Sequence, residues 1–247
     1  MKKYTETDIG SSLREVNKRA LPTLDVGPAL TGDIKAIEEL SEKWRDVWQN
    51  LGFMCITNHG ISDQLIFEME EAAKRFHDLP HKVKMKISIN THMKGYTPAH
   101  ASVATKSRFH KNRKLDTVEC LIVATDFADD NPHVSSGEQF YGKMPWLAED
   151  IIPGFRSICE KYMKEVTELG KRLLPVWALS LNLKHDYFKP FFADNYTYFR
   201  VAKYPPKPKL EEGEMGVNAH ADTGFMTFLP PANEEGLQVL DTNGKWF

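Results

Sequence analysis

Two hydrophobic periods meet in this chain, and their order limits what it can build. From about Pro153 to Leu183 the residues Phe155, Ile158, Tyr162, Val166, Leu169, Leu173, Trp177 and Leu181 recur at the spacing of one helix face. Pro175 lies inside that pattern and predicts a kink or a break into two helices. After about residue 190 the period falls to two. Asn195–Tyr204, Gly216–Asp222, Phe225–Leu229 and Leu237–Asp241 are short runs of strand length separated by Pro and Gly clusters. Asn243-Gly244 is a hairpin turn signal. A long helix followed by strands puts a soft boundary near residue 190.

Upstream the pattern is mostly helical. Residues 1–20 are polar and without a clear period, and read as an N-terminal arm. A short strand is expected from Leu21 to Val26, with Pro22 at its start, where a missing N–H is tolerated. Ile34, Ile37, Leu40, Trp44, Val47, Trp48 and Leu51 predict a helix that Gly52 ends. Phe53–Thr57 has strand length and closes on the Asn58-His59-Gly60 turn. A further helix runs from Ser62 to about Leu79, with Pro80 marking its end. Residues 81–150 are the least patterned part, rich in turn formers and basic residues. The fold class is α+β, without internal repeats or a low-complexity tract.

Composition narrows the setting. The 247 residues are 41% hydrophobic and 27% charged with a formal net charge of -2, which suits a globular protein and gives no global pull toward nucleic acid or a membrane surface. The start is too polar for a signal peptide, and no apolar run approaches the roughly 18 residues of a membrane span. Cys55, Cys120 and Cys159 are odd in number and far apart. Two of them sit in apolar contexts typical of buried free thiols, so a reducing, cytoplasmic location is expected.

The chemistry concentrates in His220-Ala221-Asp222. On an extended strand, side chains two apart share a face, with Cα atoms about 6.6 Å apart. An imidazole and a carboxylate so placed reach one metal ion from the same side. They make up two members of the 2-His-1-carboxylate triad that holds non-haem iron(II) with open positions. The same triplet arises by chance as a surface pair, so its weight comes from its surroundings.

Those surroundings form an ordered set of motifs. Arg200 through Tyr204-Pro205-Pro206 fits R-x-x-x-Y-P-P, and Asn218 through Leu229 fits H-x-D-x-G-x-x-T-x-L. Gly236-Leu237-Gln238-Val239 with Gly244-Lys245-Trp246 fits G-L-Q-V and G-x-W. Upstream, Gly52-Phe53 with Asn58-His59-Gly60-Ile61, then Gly95-Tyr96, then Asp116 and Glu119, complete the series. The chain resembles the isopenicillin N synthase-like family of iron(II)/2-oxoglutarate-dependent oxygenases, over residues 21 to 247.

The resemblance implies a partial double-stranded β-helix (jelly-roll) core with a helical N-terminal region and a long backing helix. Residues 21–190 would be the non-haem dioxygenase N-terminal region with its backing helices, and 191–247 the start of the jelly-roll core. His220 and Asp222 match metal ligands for Fe(II), and Tyr204 matches a tyrosine that helps hold 2-oxoglutarate. No residue is assigned as a catalytic acid or base. Arg200 matches a structural position, and Ala202 stands where many members have Asn. His59 matches a residue outside the metal site.

The family's third ligand is a later histidine followed by R-x-S. Here His220 is the last histidine and Arg200 the last arginine. The chain is therefore expected to be a C-terminally truncated member with a two-ligand site. The expected reaction of the family couples decarboxylation of 2-oxoglutarate to oxidation of a small organic substrate by O2, with ascorbate a further candidate cofactor. Two rivals stay open: a same-fold oxidase that does not use 2-oxoglutarate, and a non-catalytic fragment. The basic run Lys106, Arg108, Lys111, Arg113 and Lys114 reads as a solvated face, with an anionic substrate as the sharper alternative.

Overall fold

A computed structural model describes residues 20–101, 114–206, 215–230, 234 and 236–247. The basic run at 106–113 lies outside these. The chain divides into two compact units. One takes the chain through Ile61 together with Val166–Asn195 and Gly224–Phe247, the other Ser62–Glu165 and Tyr196–Thr223.

In the first unit, β1 (Thr23–Asp25) pairs in parallel with β2 (Cys55–Thr57). The crossover between them carries α1 (Gly27–Leu30) and α2 (Ile34–Asn50). The Asp33 side chain caps α2 by accepting from the Lys35 and Ala36 N–H groups, a contact worth about 1 kcal/mol. Gly52 follows with φ +77°, a left-handed conformation that glycine adopts without strain and that turns the chain toward β2. Leu40 and Trp44 of α2 bury against Leu169, Leu173 and Val176. The Arg45 guanidinium caps the C-terminal end of the helix that carries those three residues, donating to the Ser180 O (2.6 Å) and Leu179 O (2.9 Å). A cation on terminal carbonyls satisfies groups the helix leaves unpaired.

The second unit packs helices on a three-stranded antiparallel sheet in the order β3 (Gly95–Thr97), β4 (Glu119–Ala124), β5 (Tyr198–Lys203). Its helices are α3 (Asp63–His77), capped by Ser62 Oγ on the Leu65 N–H, and the short α4 (His81–Lys84) and α5 (Pro132–Ser135). Met69, Ala72 and Phe76 of α3 bury against Tyr96, Leu121, Val123 and Val201 of the sheet, with Phe155 and Cys159 completing the core. The Phe76 and Phe155 rings stack at 5.2 Å. Each large apolar side chain buried here contributes roughly 1.5–3 kcal/mol.

α6 (Phe155–Ser180) runs unbroken through Pro175, so the expected break is absent. Proline removes one N–H donor from the ladder. The buried neighbours Leu173, Leu174, Val176 and Ala178 offset that loss and keep the helix continuous. No helix among the described residues is long and apolar enough to cross a membrane. Cys120 and Cys159 are buried free thiols, and Cys55 is exposed.

Two of the strands expected late in the chain are not ladders. Residues 216–222 and 225–229 carry no strand assignment. The second of these is held by side chains, Trp177 Nε1 donating to Met226 Sδ at 3.2 Å and Phe225 packing on Trp177, Phe188 and Phe192. The expected hairpin at Asn243-Gly244 does form. Val239 and Phe247 exchange both backbone hydrogen bonds, and Gly244 takes φ +78° at the turn.

β4 went unrecognised in the least patterned stretch, and a charged cluster fixes it. The Glu119 carboxylate accepts from Lys84 Nζ (2.8 Å) and from the Tyr96 hydroxyl, and lies 3.1 Å from His77 Nδ1. Lys84 also donates to the His77 carbonyl, and His77 Nε2 lies 3.1 Å from Val201 O. Burial alone would raise the Glu119 carboxyl. The Lys84 and Tyr96 hydrogen bonds and the charge of Lys84 outweigh it and hold the pKa down to about 2. A carboxyl with a depressed folded pKa stabilises the fold above its unfolded value of 4.5, and that contribution is lost as pH falls from there to about 2. The contribution is about 3 kcal/mol at neutral pH. Glu119→Gln leaves the Lys84 ammonium buried without its charge partner, at a cost of about 3–5 kcal/mol. Thermal melts from pH 7 to 2 are expected to show this loss at neutral pH and a flatter acid limb in the variant.

Candidate metal centre

The site begins on β5, whose residues alternate between the two faces of the sheet. Val201 is buried on the core side, while Tyr198, Arg200 and Ala202 are exposed on the other. Arg200 Nε lies 3.3 Å from Cys120 Sγ on the paired strand, a contact that ties the guanidinium to the sheet. Tyr204 follows the strand end, 58% exposed. Its ring lies over Gly216, where an added Cβ would meet Cδ1 at 2.7 Å and Cε1 at 3.0 Å. Glycine at 216 is what lets the aromatic ring approach the backbone so closely.

Past residue 214 the chain returns beside β4. The Thr117 and Val118 N–H groups donate to the carbonyls of Met215 and Gly216, both at 3.2 Å. After these two bonds the backbone ladder stops and side chains take over. Asn218 is 1% exposed. Its backbone N–H and its Nδ2 both donate to Asp116 Oδ1, at 2.9 and 2.6 Å, and Nδ2 also donates to the Lys114 carbonyl at 3.1 Å.

Asn218 O in turn accepts from His220 Nδ1 at 2.7 Å. A carbonyl oxygen only accepts, so Nδ1 carries a proton, and in the neutral form of the ring the lone pair is on Nε2. Nε2 lies 3.3 Å from Asp222 Oδ1. A lone pair and a carboxylate at that distance repel unless a proton or a metal ion stands between them. Two metal–ligand bonds of roughly 2.0–2.2 Å from one ion span such a gap. The donor set, one imidazole and one carboxylate, therefore fits a first-row divalent metal.

The arrangement departs from the expectation of an extended strand. His220 and Asp222 do converge on one side, but on irregular backbone, and their side chains are 38% and 53% exposed. A strand needs a partner ladder, and among the described residues only the two bonds to Met215 and Gly216 supply one. No group of three or more His, Cys, Asp or Glu side chains is placed to hold a metal among the described residues. His133 pairs with Glu138 at 2.9 Å, and His59 Nδ1 accepts the Ile61 N–H at 3.1 Å. His110 lies outside the described residues. Asp116 and Asn218 hold the segment; the sequence marks the first only as a motif position and the second only as the flank of the His220 motif. The signal that could have found them is an Asn two residues ahead of the His, too polar to be buried unless it is paired.

The comparisons with known proteins agree with this architecture. The profile of the family described as non-haem dioxygenase in morphine synthesis N-terminal matches residues 21–149, just over half of the chain. A 2-oxoglutarate-Fe(II) type oxidoreductase, hxnY of Emericella nidulans, is 31% identical over 235 residues, covering 92% of this chain and 65% of that protein. A 2-oxoglutarate-Fe(II) type oxidoreductase of Aspergillus fumigatus is 30% identical over 230 residues, covering 91% and 67%.

Among solved structures, a 2OG-Fe(II) oxygenase family protein from Caulobacter crescentus superposes with a TM-score of 0.75 at 23% identity, over 93% of this chain and 70% of that one. The 2-oxoglutarate complex of the dioxygenase for auxin oxidation 1 from Arabidopsis thaliana gives a TM-score of 0.60 at 24% identity, over 92% and 74%. The chain belongs to the 2-oxoglutarate/Fe(II) oxygenase family. It spans just under two thirds of the length of the first of these relatives.

Because the Tyr204 ring occupies the space over Gly216, Gly216→Ala is expected to push that ring aside. The ring is largely exposed and yields toward solvent, so the cost is expected at no more than about 1 kcal/mol. Near-UV circular dichroism and a thermal melt check it. An unchanged tyrosine signal with an unchanged melting temperature would contradict the close packing.

Proposed function

We propose that the chain carries part of the active site of an iron(II)- and 2-oxoglutarate-dependent oxygenase that oxidises a small organic substrate with O2. The observation that carries this reading is the His220 Nε2 and Asp222 Oδ1 pair, 3.3 Å apart, with Nδ1 already committed to a carbonyl. His220 and Asp222 are the proposed Fe(II) ligands. Bound iron would supply an open position at which O2 and the cosubstrate meet.

Tyr204 is the proposed contact to 2-oxoglutarate. Its hydroxyl is a donor suited to a carboxylate, and the ring is set in place against Gly216. The names of the curated relatives support 2-oxoglutarate as cosubstrate over the oxidase that does without it. We further propose the division of the chain into a dioxygenase N-terminal region over 21–190 and the start of a jelly-roll core over 191–247. The family match that begins at residue 21 supports the first boundary. Placement in the cytoplasm is proposed on the cysteine usage alone.

Among the described residues two protein donors face the ion, and two donors alone hold a divalent ion weakly, the other positions being left to water. Anaerobic titration of the 247-residue chain with Fe(II) and 2-oxoglutarate is expected to show weak binding and no succinate on adding O2. His220→Ala and Asp222→Ala are each expected to abolish the binding that remains, and Tyr204→Phe to weaken that of 2-oxoglutarate only. Iron binding indifferent to both the His220 and the Asp222 substitution would sink the assignment.

A further inference from the structure

Among the described residues no strand pairs with the segment that carries His220, and the direction of its ring is fixed by other contacts. Among these residues, two backbone bonds reach the segment from the line of β4, one ending at Met215 and the other at Gly216. Beyond them the structure offers one strong anchor, the Asp116 carboxylate. Its Oδ1 receives both the backbone N–H and the Nδ2 of Asn218, a two-pronged grip that sets the main chain as well as the side chain of that residue. Both residues are buried, Asp116 5% and Asn218 1% exposed, so water does not compete for these bonds. The grip fixes the carbonyl of Asn218, and that carbonyl takes the His220 Nδ1 proton.

We propose that Asp116 is a positioning residue for His220, acting through Asn218 to hold the imidazole as the Nδ1–H tautomer with Nε2 turned toward Asp222. The proposal rests on the reading of His220 as a metal ligand. Asp116 itself touches neither ring nitrogen. Its role is to place the carbonyl that selects the tautomer, as groups hydrogen-bonded behind metal-bound histidines do. Without the grip, the i, i−2 contact between His220 and Asn218 O becomes one of several local options. The ring is then free to turn its proton to Nε2 and donate to Asp222, which removes the lone pair a metal needs.

The alternative is that Asp116 merely stabilises the fold, and three variants separate the two. Asp116→Ala removes the grip, Asn218→Ala removes one prong, and Asp116→Asn keeps an oxygen able to accept both N–H groups. Long-range 1H–15N correlation of the metal-free 247-residue chain reads the tautomer, with the His220 signal assigned by its loss in His220→Gln. The spectra are recorded at about pH 8, above the ordinary histidine pKa. Wild type and Asp116→Asn are expected to show the Nδ1–H form. Asp116→Ala and Asn218→Ala should move toward the Nε2–H form, with the double variant no further than the Asp116 variant alone.

Titration with Co(II) alone is the second readout. Asp116→Ala should bind about tenfold more weakly or worse, and Asp116→Asn close to wild type. If Asp116→Ala is unfolded by circular dichroism, Asn218→Ala decides. A folded variant lacking the grip that keeps the Nδ1–H form overturns the positioning role. A tautomer that moves as expected while Co(II) binding ignores His220→Gln overturns instead the metal-ligand reading on which the proposal rests.

Discussion

The carboxylate of Glu119 is the point on which the second unit turns. A lysine from α4, a tyrosine from β3 and a histidine from α3 converge on the first residue of β4. Lys203 of β5 approaches the same group at 3.8 Å. Buried charges rarely add net stability over a well-packed apolar core, but once built they are costly to break. What this cluster supplies is register. It fixes where β4 starts, and the start of β4 sets the pairing of Glu119 with Lys203 and of Leu121 with both Tyr96 and Val201.

Asp116 stands three residues before Glu119, and the short spacing connects core to site. Glu119 points into the cluster between sheet and helices, while Asp116 receives the returning chain at Asn218. The residues between them, Thr117 and Val118, donate the two backbone bonds that bring Met215 and Gly216 alongside. One stretch of four residues thus anchors the sheet at one end and the His220 segment at the other. A displacement of β4 would carry both with it.

Helices were legible because a helix closes its own hydrogen bonds, so spacing and caps within one segment suffice to place it. Asp33 and Ser62 cap where the pattern begins, and the apolar faces of α2, α3 and α6 are the ones buried. β5 was legible from alternation. β4 was not, although Glu119-Cys120-Leu121-Ile122-Val123-Ala124 is a plain apolar run, because polar and basic residues crowd its surroundings. Residues 216–222 failed in the opposite sense. Their alternation suits a strand, but strand formation belongs to a pair of segments, and the described residues supply a partner only as far as Gly216. The metal pair was legible by motif, whereas the buried Asp116–Asn218 contact joins residues 102 apart in sequence and leaves no local trace.

That the pair converges without a strand follows from how little it asks of the backbone. Side chains two apart share a side in any extended conformation, not only in a paired one. The bond that orients the imidazole comes from the residue two before it, so it too is local. What the local segment lacks is stiffness. A single i, i−2 contact is worth about 1 kcal/mol, comparable to the entropy of ordering one residue, and alone would leave the ring mobile. The buried grip of Asp116 on Asn218 adds two charge-assisted bonds at the position where that local contact starts. The chemistry of the site is therefore written in three neighbouring residues, and its precision is supplied by a fourth, far away in sequence and fixed by the sheet.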